Sequence, residues 1–529
     1  MNLKHITIGK HTLETLTNGM YTDHFTIFRE YVQNSADSID NAVKSGILEA
    51  GAGIINVTVN KEKSLVTVHD NGTGICSELT VKFLCDIGNS SKDYKENRGF
   101  RGIGRLGGLA YAQSIKFVTT AKGEDKKTII TWDCAKLLEL LQPGKFQEYD
   151  LIKVIKEVTK VDFETEEVLS HYFEVSLLDI DEKFEDLLNV EKVKNYLSTV
   201  APVPFNHQIF FRSAHKIKEW FSKKGIPIEE YKIYLNDSEQ ILKLYKETFN
   251  TGHQDRTKKK DRIADIQFFE FKDEDKLLYC GWHAVTAFYG SVDDEFMKGI
   301  RVRKGNILIG DKNTFSQFFP SEKDVANSWF IGEVYMYDNE LIPNGRRDDF
   351  EKNTKFQIIS SSLSEKANEL NKRYRREMSI YNSSIKKIEI SKKELECINA
   401  EIDSGGITSD VRRDQLIKQK EVIEQKIENG LKDIKKLAEK FDNLDEKKTV
   451  LDKYIKEADV LKKKIVIVET KITNADYVTK NDLPTSFSKE ERKIYQEVIA
   501  VIDENVDNDI AVMLRRKILE RLTASKKRK

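Results

Sequence analysis

Glu30, Asn34 and Asp37 stand four and three residues apart in Phe28-Arg29-Glu30-Tyr31-Val32-Gln33-Asn34-Ser35-Ala36-Asp37. On a helix, at roughly 100° per residue, they fall within about 60° of one another, so two carboxylates and an amide share a face. Phe28, Tyr31, Val32, Ala36 and Ile39 take the other side, and taken alone the pattern equally describes the solvated face of an amphipathic helix. A second motif, Asp70-Asn71-Gly72-Thr73-Gly74, follows the strand-like run 65–69. A carboxylate beside two glycines can accept from an adenine amino group while the chain, free of β-carbons, passes close to the base. A hairpin turn has the same letters and by itself is the commoner reading. The third motif is Gly88-Asn89-Ser90-Ser91-Lys92 followed by Gly99-Phe100-Arg101-Gly102-Ile103-Gly104-Arg105-Leu106-Gly107-Gly108-Leu109-Ala110. Glycines ahead of a helix-competent stretch let backbone amides converge on phosphate oxygens, and the helix dipole favours the negative charge. The alternative is a flexible linker, although linkers rarely place Ile, Leu and Phe between their glycines.

Several elements must position these residues. Helical periodicity alternates with strand-like runs (65–68, 115–118) over residues 1–185, and a second mixed region follows over 190–351, with strands expected at 209–211, 300–302 and 330–334. A basic loop, 253–260, interrupts the second region. After Pro343 no proline appears until Pro484, and Lys, Glu, Ile and Leu dominate, which predicts long helices over 352–480. Ile427, Ile434, Leu437, Phe441, Leu444, Leu451, Ile455, Ala458, Ile465, Val468 and Ile472 trace a heptad seam with gaps at Gly430 and Lys448. Asp403-Ser404-Gly405-Gly406 breaks the pattern and Ser409 can cap a new helix, so an antiparallel hairpin is expected, with one long dimeric coil as the alternative. Residues 484–529 read as a small helical module ending in the basic tail Ser525-Lys526-Lys527-Arg528-Lys529. The fold class expected is therefore α+β, with a helical C-terminal region.

Composition narrows the function classes. The 529 residues exceed one ordinary core, and a net charge of +0 with 33% charged residues argues against a general nucleic-acid glove. Five scattered cysteines form no Cys-x-x-Cys pair, so neither a zinc site nor a disulfide scaffold is expected, and a reducing cytoplasm fits best. No apolar run approaches the roughly 20 residues that span a bilayer, and no signal peptide is read at the start.

Taken together and in order, Glu30-x-x-x-Asn34-x-x-Asp37, Asp70-x-Gly72-x-Gly74 and the glycine segment ending at Gly107 resemble the boxes of the GHKL superfamily, which unites the ninety-kilodalton heat-shock chaperones, gyrase, MutL and MORC ATPases and, distantly, histidine kinases. The likeness covers about the first third of the chain and implies a Bergerat-type α/β sandwich that binds ATP with Mg²⁺. By that resemblance Asn34 supplies an amide oxygen to the metal, Asp70 reads adenine and Asp37 steadies a metal-bound water. Glu30 orients or deprotonates the attacking water, while Lys92 and the amides around Gly102, Gly104 and Gly107 neutralise phosphate charge. Related kinases generally lack the Glu30 carboxylate and need a phosphoacceptor segment ahead of the domain, where this chain has only about 25 residues, so a kinase is not expected.

Residues 341–350, Leu-Ile-Pro-Asn-Gly-Arg-Arg-Asp-Asp-Phe, are similar to the middle-domain loop of the heat-shock chaperones, in which an arginine reaches the γ-phosphate. Alignment on the following acid favours Arg347 over Arg346; a surface Arg–Asp cluster is the alternative. The chain departs from the chaperones at His171-Tyr172-Phe173-Glu174-Val175, where they carry a glycine–threonine pair, and at Gly107-Gly108-Leu109, where their glycine spacing differs. The resemblance implies an ATP-gated homodimer whose N-terminal domains associate when nucleotide closes the lid, acting as a clamp on protein clients; the C-terminal helical seam is expected to supply the permanent dimer contact or a platform for a partner. A MORC- or MutL-like clamp on DNA, with bacterial defence against phage as its setting, is the competing reading.

Overall fold

In the computed structural model the described residues are 9–13, 23–87, 104–252, 259–286, 290–321, 323–404, 407, 410–439, 445–474 and 487–526. They divide into two compact units, Met1–Asn371 and Lys372–Lys529. The first unit is mixed α and β and the second is helical, as the patterning predicts.

The strand alternation of 65–69 is real. Val66, Val68 and Asp70 of β2 (Leu65–Asp70) point inward, while Leu65, Thr67 and His69 are only half-buried. β2 pairs antiparallel with β1 (Ile54–Asn60) and with β6 (Tyr172–Ile180), which sits beside β3 (Ala112–Thr120). β4 (Lys126–Asp133) and β5 (Thr159–Thr165) complete that side. On the other side β7 (Lys232–Leu235) runs parallel to β1, and β8 (Glu239–Gln240) closes an eight-stranded sheet of order β5-β4-β3-β6-β2-β1-β7-β8. Helix α1 (Thr26–Lys44) shares its core with this sheet: Ile27, Phe28, Tyr31, Val32, Ala36 and Ile39 join Ile55, Val57, Val68, Ile115, Phe117 and Leu177. Each such large side chain contributes roughly 1.5–3 kcal/mol by leaving water.

A second sheet in the same unit has the order β11-β12-β15-β13-β14, built from β11 (Asp265–Asp273), β12 (Lys276–Val285), β13 (Gly299–Lys304), β14 (Ile307–Leu308) and β15 (Ile331–Met336). β9 (Thr248–Thr251) and β10 (Lys259–Arg262) form a separate hairpin. The strand expected at 209–211 is not formed; helix α2 (Phe211–Lys223) begins there instead. The reason lies downstream, because Phe210, Ala214, Ile217 and Phe221 recur at helical spacing and all bury, and that periodicity outweighs the β propensity of three apolar residues.

A charged network lies inside this part of the fold. Glu333, fully buried, faces Lys243 Nζ at 2.7 Å and the Arg303 guanidinium, and accepts from the Tyr245 hydroxyl at 3.2 Å. Burial works to raise the Glu333 carboxyl, but Arg303 and Lys243 outweigh it and hold the group down at about 2. Burial, reinforced by the Arg303 charge, pulls Lys243 down to about 7. Arg303 also donates to the Thr199 carbonyl at 2.8 Å, at the end of helix α3 (Val190–Val200), which ties the second sheet to a helix that connects β6 with β7 of the first.

Helix α4 (Thr354–Asp403) begins in the first unit and ends in the second. It is followed by α5 (Asp410–Glu439) and α6 (Asp445–Asn474). Ion pairs set their directions: Arg412 with Glu401 at 2.8 Å and Lys426 with Glu394 at 2.9 Å make α4 and α5 antiparallel. Lys420 with Glu469 at 3.1 Å and Lys462 with Glu428 at 3.6 Å do the same for α5 and α6. The expected hairpin is thus joined by a third helix within the chain. Ile427, Ile434, Ala458, Ile465, Val468 and Ile472 of the heptad seam are buried, whereas Phe441 and Leu444 lie outside the described residues. Ser488 caps α7 (Lys489–Asn505) through a reciprocal capping box with Glu491, and α8 (Asn508–Lys526) follows.

Candidate active site

Helix α1 is buried on more than its apolar stripe. Arg29, Glu30, Gln33, Ser35 and Asp37 are all buried with it, and Asn34 is half-buried, so the reading of Glu30 and Asp37 as a solvated face does not hold. A polar face that leaves water needs partners, and Glu30 has two cations. Arg347 Nε lies 3.1 Å from its Oε1 and Arg29 Nε 3.5 Å from the same oxygen. Arg347 also donates through Nη1 to the Gln33 amide oxygen, one helical turn from Glu30. Arg29 Nη2 donates to the Arg346 carbonyl at 3.0 Å.

The two arginines proposed for phosphate contact therefore separate. Arg347 turns in towards α1, its side chain only 11% exposed, while Arg346 is an exposed side chain whose backbone alone touches α1. The turn that achieves this puts Arg347 at φ +58°, a left-handed conformation rare outside glycine. It is held by the Arg347 amide donating to the Asn344 carbonyl at 3.1 Å and by the Arg347 carbonyl accepting from Gly310 at 2.8 Å.

Asp70 ends β2 and is 1% exposed. Its Oδ1 accepts from the Gly72 amide at 2.9 Å, the Thr73 amide donates to Ser38 Oγ of α1 at 3.1 Å, and His171 Nδ1 lies 2.7 Å from the Gly72 carbonyl. One turn further, the Ile75 amide donates to Thr119 Oγ1 at 2.9 Å, and that hydroxyl donates to the Tyr172 carbonyl at 2.8 Å. Gly74, at φ +62°, admits no side chain, since a β-carbon there would sit 1.8 Å from the Thr120 carbonyl oxygen. The loop is thus pinned to α1, β3 and β6 together. His171 stands where the resemblance marks a departure, and here it bonds the loop's own backbone. Phe173 pairs across the sheet with Asp70.

Of the glycine segment, Lys92 and Gly102 lie outside the described residues. Gly104 opens a short 3₁₀ turn, Gly104–Ala110, in which Gly107 is buried. It approaches Glu30 so closely that a β-carbon would stand 2.3 Å from Oε2. Arg105, whose guanidinium burial drives below its usual range, donates to the Asp86 carbonyl. The structure thus brings Glu30, Gly104 and Arg347 together, and the Asp70–Gly74 loop onto the same helix two turns on. Gln33, Ser38, Arg29 and Thr119 are additions that the motif spacing did not single out. Gln33 could have been found, being three residues from Glu30 on the same helix; His171 was marked only as a departure from the family pattern, and it reaches the loop through its Nδ1 contact with the Gly72 carbonyl.

An oxygen-only donor set, an amide at Asn34 and a carboxylate at Asp37 on one helix face, suits a hard cation such as Mg²⁺. Among the described residues no group of three or more His, Cys, Asp and Glu side chains could hold a metal ion.

Residues 26–165 match the family described as histidine kinase-, DNA gyrase B- and HSP90-like ATPases, and this stretch is a GHKL-type ATPase domain. The chain is similar to the chaperone protein HtpG of Geobacter metallireducens, 21% identical over 359 residues that span 63% of this chain and 48% of the relative. HtpG of Francisella tularensis subsp. novicida is 22% identical over 352 residues, with the same shares. HtpG of Shewanella sediminis is 28% identical over 145 residues, 24% of this chain and 23% of that one. The likeness to the first two extends well beyond the ATPase domain, and the chain spans about half their length.

Proposed function

We propose that the chain hydrolyses ATP to ADP and phosphate and uses the cycle to drive a chaperone-like conformational clamp. The observation that carries this reading is the Arg347 guanidinium seated on the Glu30 carboxylate, because it joins a residue of the second region to the ATPase helix. Glu30, buried beside Gly104, is the general base or water-orienting group. Arg347, its fork held by Gln33, is the donor for charge that builds on the γ-phosphate, where a fixed planar cation acts without reorganising. Asp70, held by its own loop, accepts from adenine, and Asn34 with Asp37 supports Mg²⁺. Asn34 and Asp37 would hold the metal, which would supply positive charge to offset that of the phosphates.

Association of two copies completes the clamp. Ile427, Ile434, Ala458, Ile465, Val468 and Ile472 of the apolar seam are buried within the chain, but α7 leaves Ile494 (64% exposed), Val498 and Val501 on one outer stripe, and α8 exposes Ile510, Val512 and Met513. Such a stripe supports a C-terminal dimer contact. Protein clients are the favoured cargo, in keeping with the chaperone names of the relatives.

The test is small-angle scattering and crosslinking of the full chain with and without a non-hydrolysable ATP analogue, repeated on Glu30→Ala with ATP. A compact crosslinked dimer that accumulates with nucleotide, and persists in Glu30→Ala while phosphate release stops, is the expected result. A monomer indifferent to nucleotide, or a Glu30→Ala variant with normal turnover, would end the proposal.

A further inference from the structure

The contact between Arg347 and Gln33 assigns a role to a residue that neither the motif spacing nor the family likeness marks. Gln33 is 1% exposed, one helical turn from Glu30, and its amide oxygen accepts from Arg347 Nη1 while Arg347 Nε faces Glu30 at 3.1 Å. Two points of contact define the plane of the guanidinium; one would leave it free to swing about the Glu30 oxygen. Arg347 arrives on a left-handed turn, φ +58°, so its backbone is fixed independently and only the head group remains to be oriented.

The chemistry of the second contact matters. An amide oxygen is an acceptor without charge, so it aligns Arg347 without neutralising it. A carboxylate in its place would give the arginine two anionic partners inside one buried site and weaken its pull on a third, the incoming phosphate. We infer that Gln33 is a positioning residue for Arg347, setting the angle at which that arginine meets the transferred phosphate without placing a second anion beside it. This rests on the reading of Arg347 as the phosphate-facing arginine.

The experiment measures kcat and KM for ATP across pH in the full-length chain for the wild type, Gln33→Met, Gln33→Glu and Arg347→Ala. Gln33→Met keeps the volume and removes the acceptor, so kcat should fall about tenfold to a hundredfold, the range of a charge-assisted hydrogen bond, with KM nearly unchanged. Gln33→Glu should be impaired at neutral pH, and its kcat relative to wild type should climb as pH falls, because the protonated acid again offers a neutral acceptor. A merely structural role would not produce that slope. If Arg347→Ala turns over normally, the reading of Arg347 itself fails. If Arg347→Ala is inactive but Gln33→Met keeps wild-type kcat, or Gln33→Glu tracks the wild type at every pH, the inference about Gln33 fails alone. Should Gln33→Met not fold, the Gln33→Glu profile decides.

Discussion

Replacing Arg347 and Arg346 by alanine, one at a time, sets two neighbouring residues of identical chemistry against each other. Arg347 presents a nearly buried guanidinium 3.1 Å from Glu30, whereas Arg346 contributes only a backbone carbonyl, which alanine retains. Loss of one preorganised donor from a water-excluded site costs about 2.7–4 kcal/mol of transition-state stabilisation, or roughly a hundredfold to a thousandfold in kcat. Arg347→Ala should fall by that amount, while Arg346→Ala, a surface change worth about 0.5 kcal/mol or less, should stay within about twofold of wild type. Folding is affected less. Arg29 still stands 3.5 Å from Glu30, so the carboxylate keeps a cation, and about 1–3 kcal/mol of stability is the expected loss. Phosphate release at saturating ATP reads the first effect, thermal melting the second, and calorimetric nucleotide affinity should barely move because Asp70 and Asn34 are untouched. Equal losses in both variants, or full activity in Arg347→Ala, would refute the reasoning.

Asp70→Asn should abolish ATP binding by calorimetry, since the amide can present a donor where adenine also donates; retained affinity would remove adenine reading from Asp70. Gly74→Ala should destabilise by roughly 2 kcal/mol or more in urea unfolding and weaken nucleotide affinity, because a left-handed position and the Thr120 carbonyl both oppose a methyl group. Glu333→Gln should cost about 3–5 kcal/mol by leaving Arg303 and Lys243 buried without their carboxylate, while Lys243→Met, which keeps the Arg303–Glu333 pair, should cost much less. Lys243 also gives a pH test. With the folded group down at about 7 and the unfolded group near 10.5, the unfolded chain holds the extra proton between those values, so stability should rise as pH goes from 7 to 9. Lys243→Met should lack that share of the rise.

What could be read in advance follows from how local each signal is. Helix spacing placed Glu30, Asn34 and Asp37 on one face because a helix fixes angles between residues a few positions apart. It could not tell a buried face from a wet one, since Arg347, the partner that makes burial of Glu30 tolerable, lies more than three hundred positions away. Gly74 was legible as a turn glycine; that it shields Thr120 was not, because the neighbour comes from another strand. The misread strand at 209–211 failed for the opposite reason, a window too short to include Ala214 and Ile217. The heptad seam announced long helices, but its period is the same whether the matching helix belongs to this chain or another, and only ion pairs such as Lys426–Glu394 assign it to this one.

The parallel pairing of β7 with β1 bears on how the molecule can be dissected. Ile55 is flanked by Asp70 on one side and Ile233 on the other, so the strand next to the Asp70 strand borrows its outer neighbour from far downstream. A fragment cut near residue 190 would strip that neighbour away and bare a row of backbone amides and carbonyls along β1, an adhesive margin that invites strand-to-strand aggregation. Anyone isolating the nucleotide-binding half should therefore carry the chain past Gln240, and shorter pieces should precipitate for a reason unrelated to catalysis.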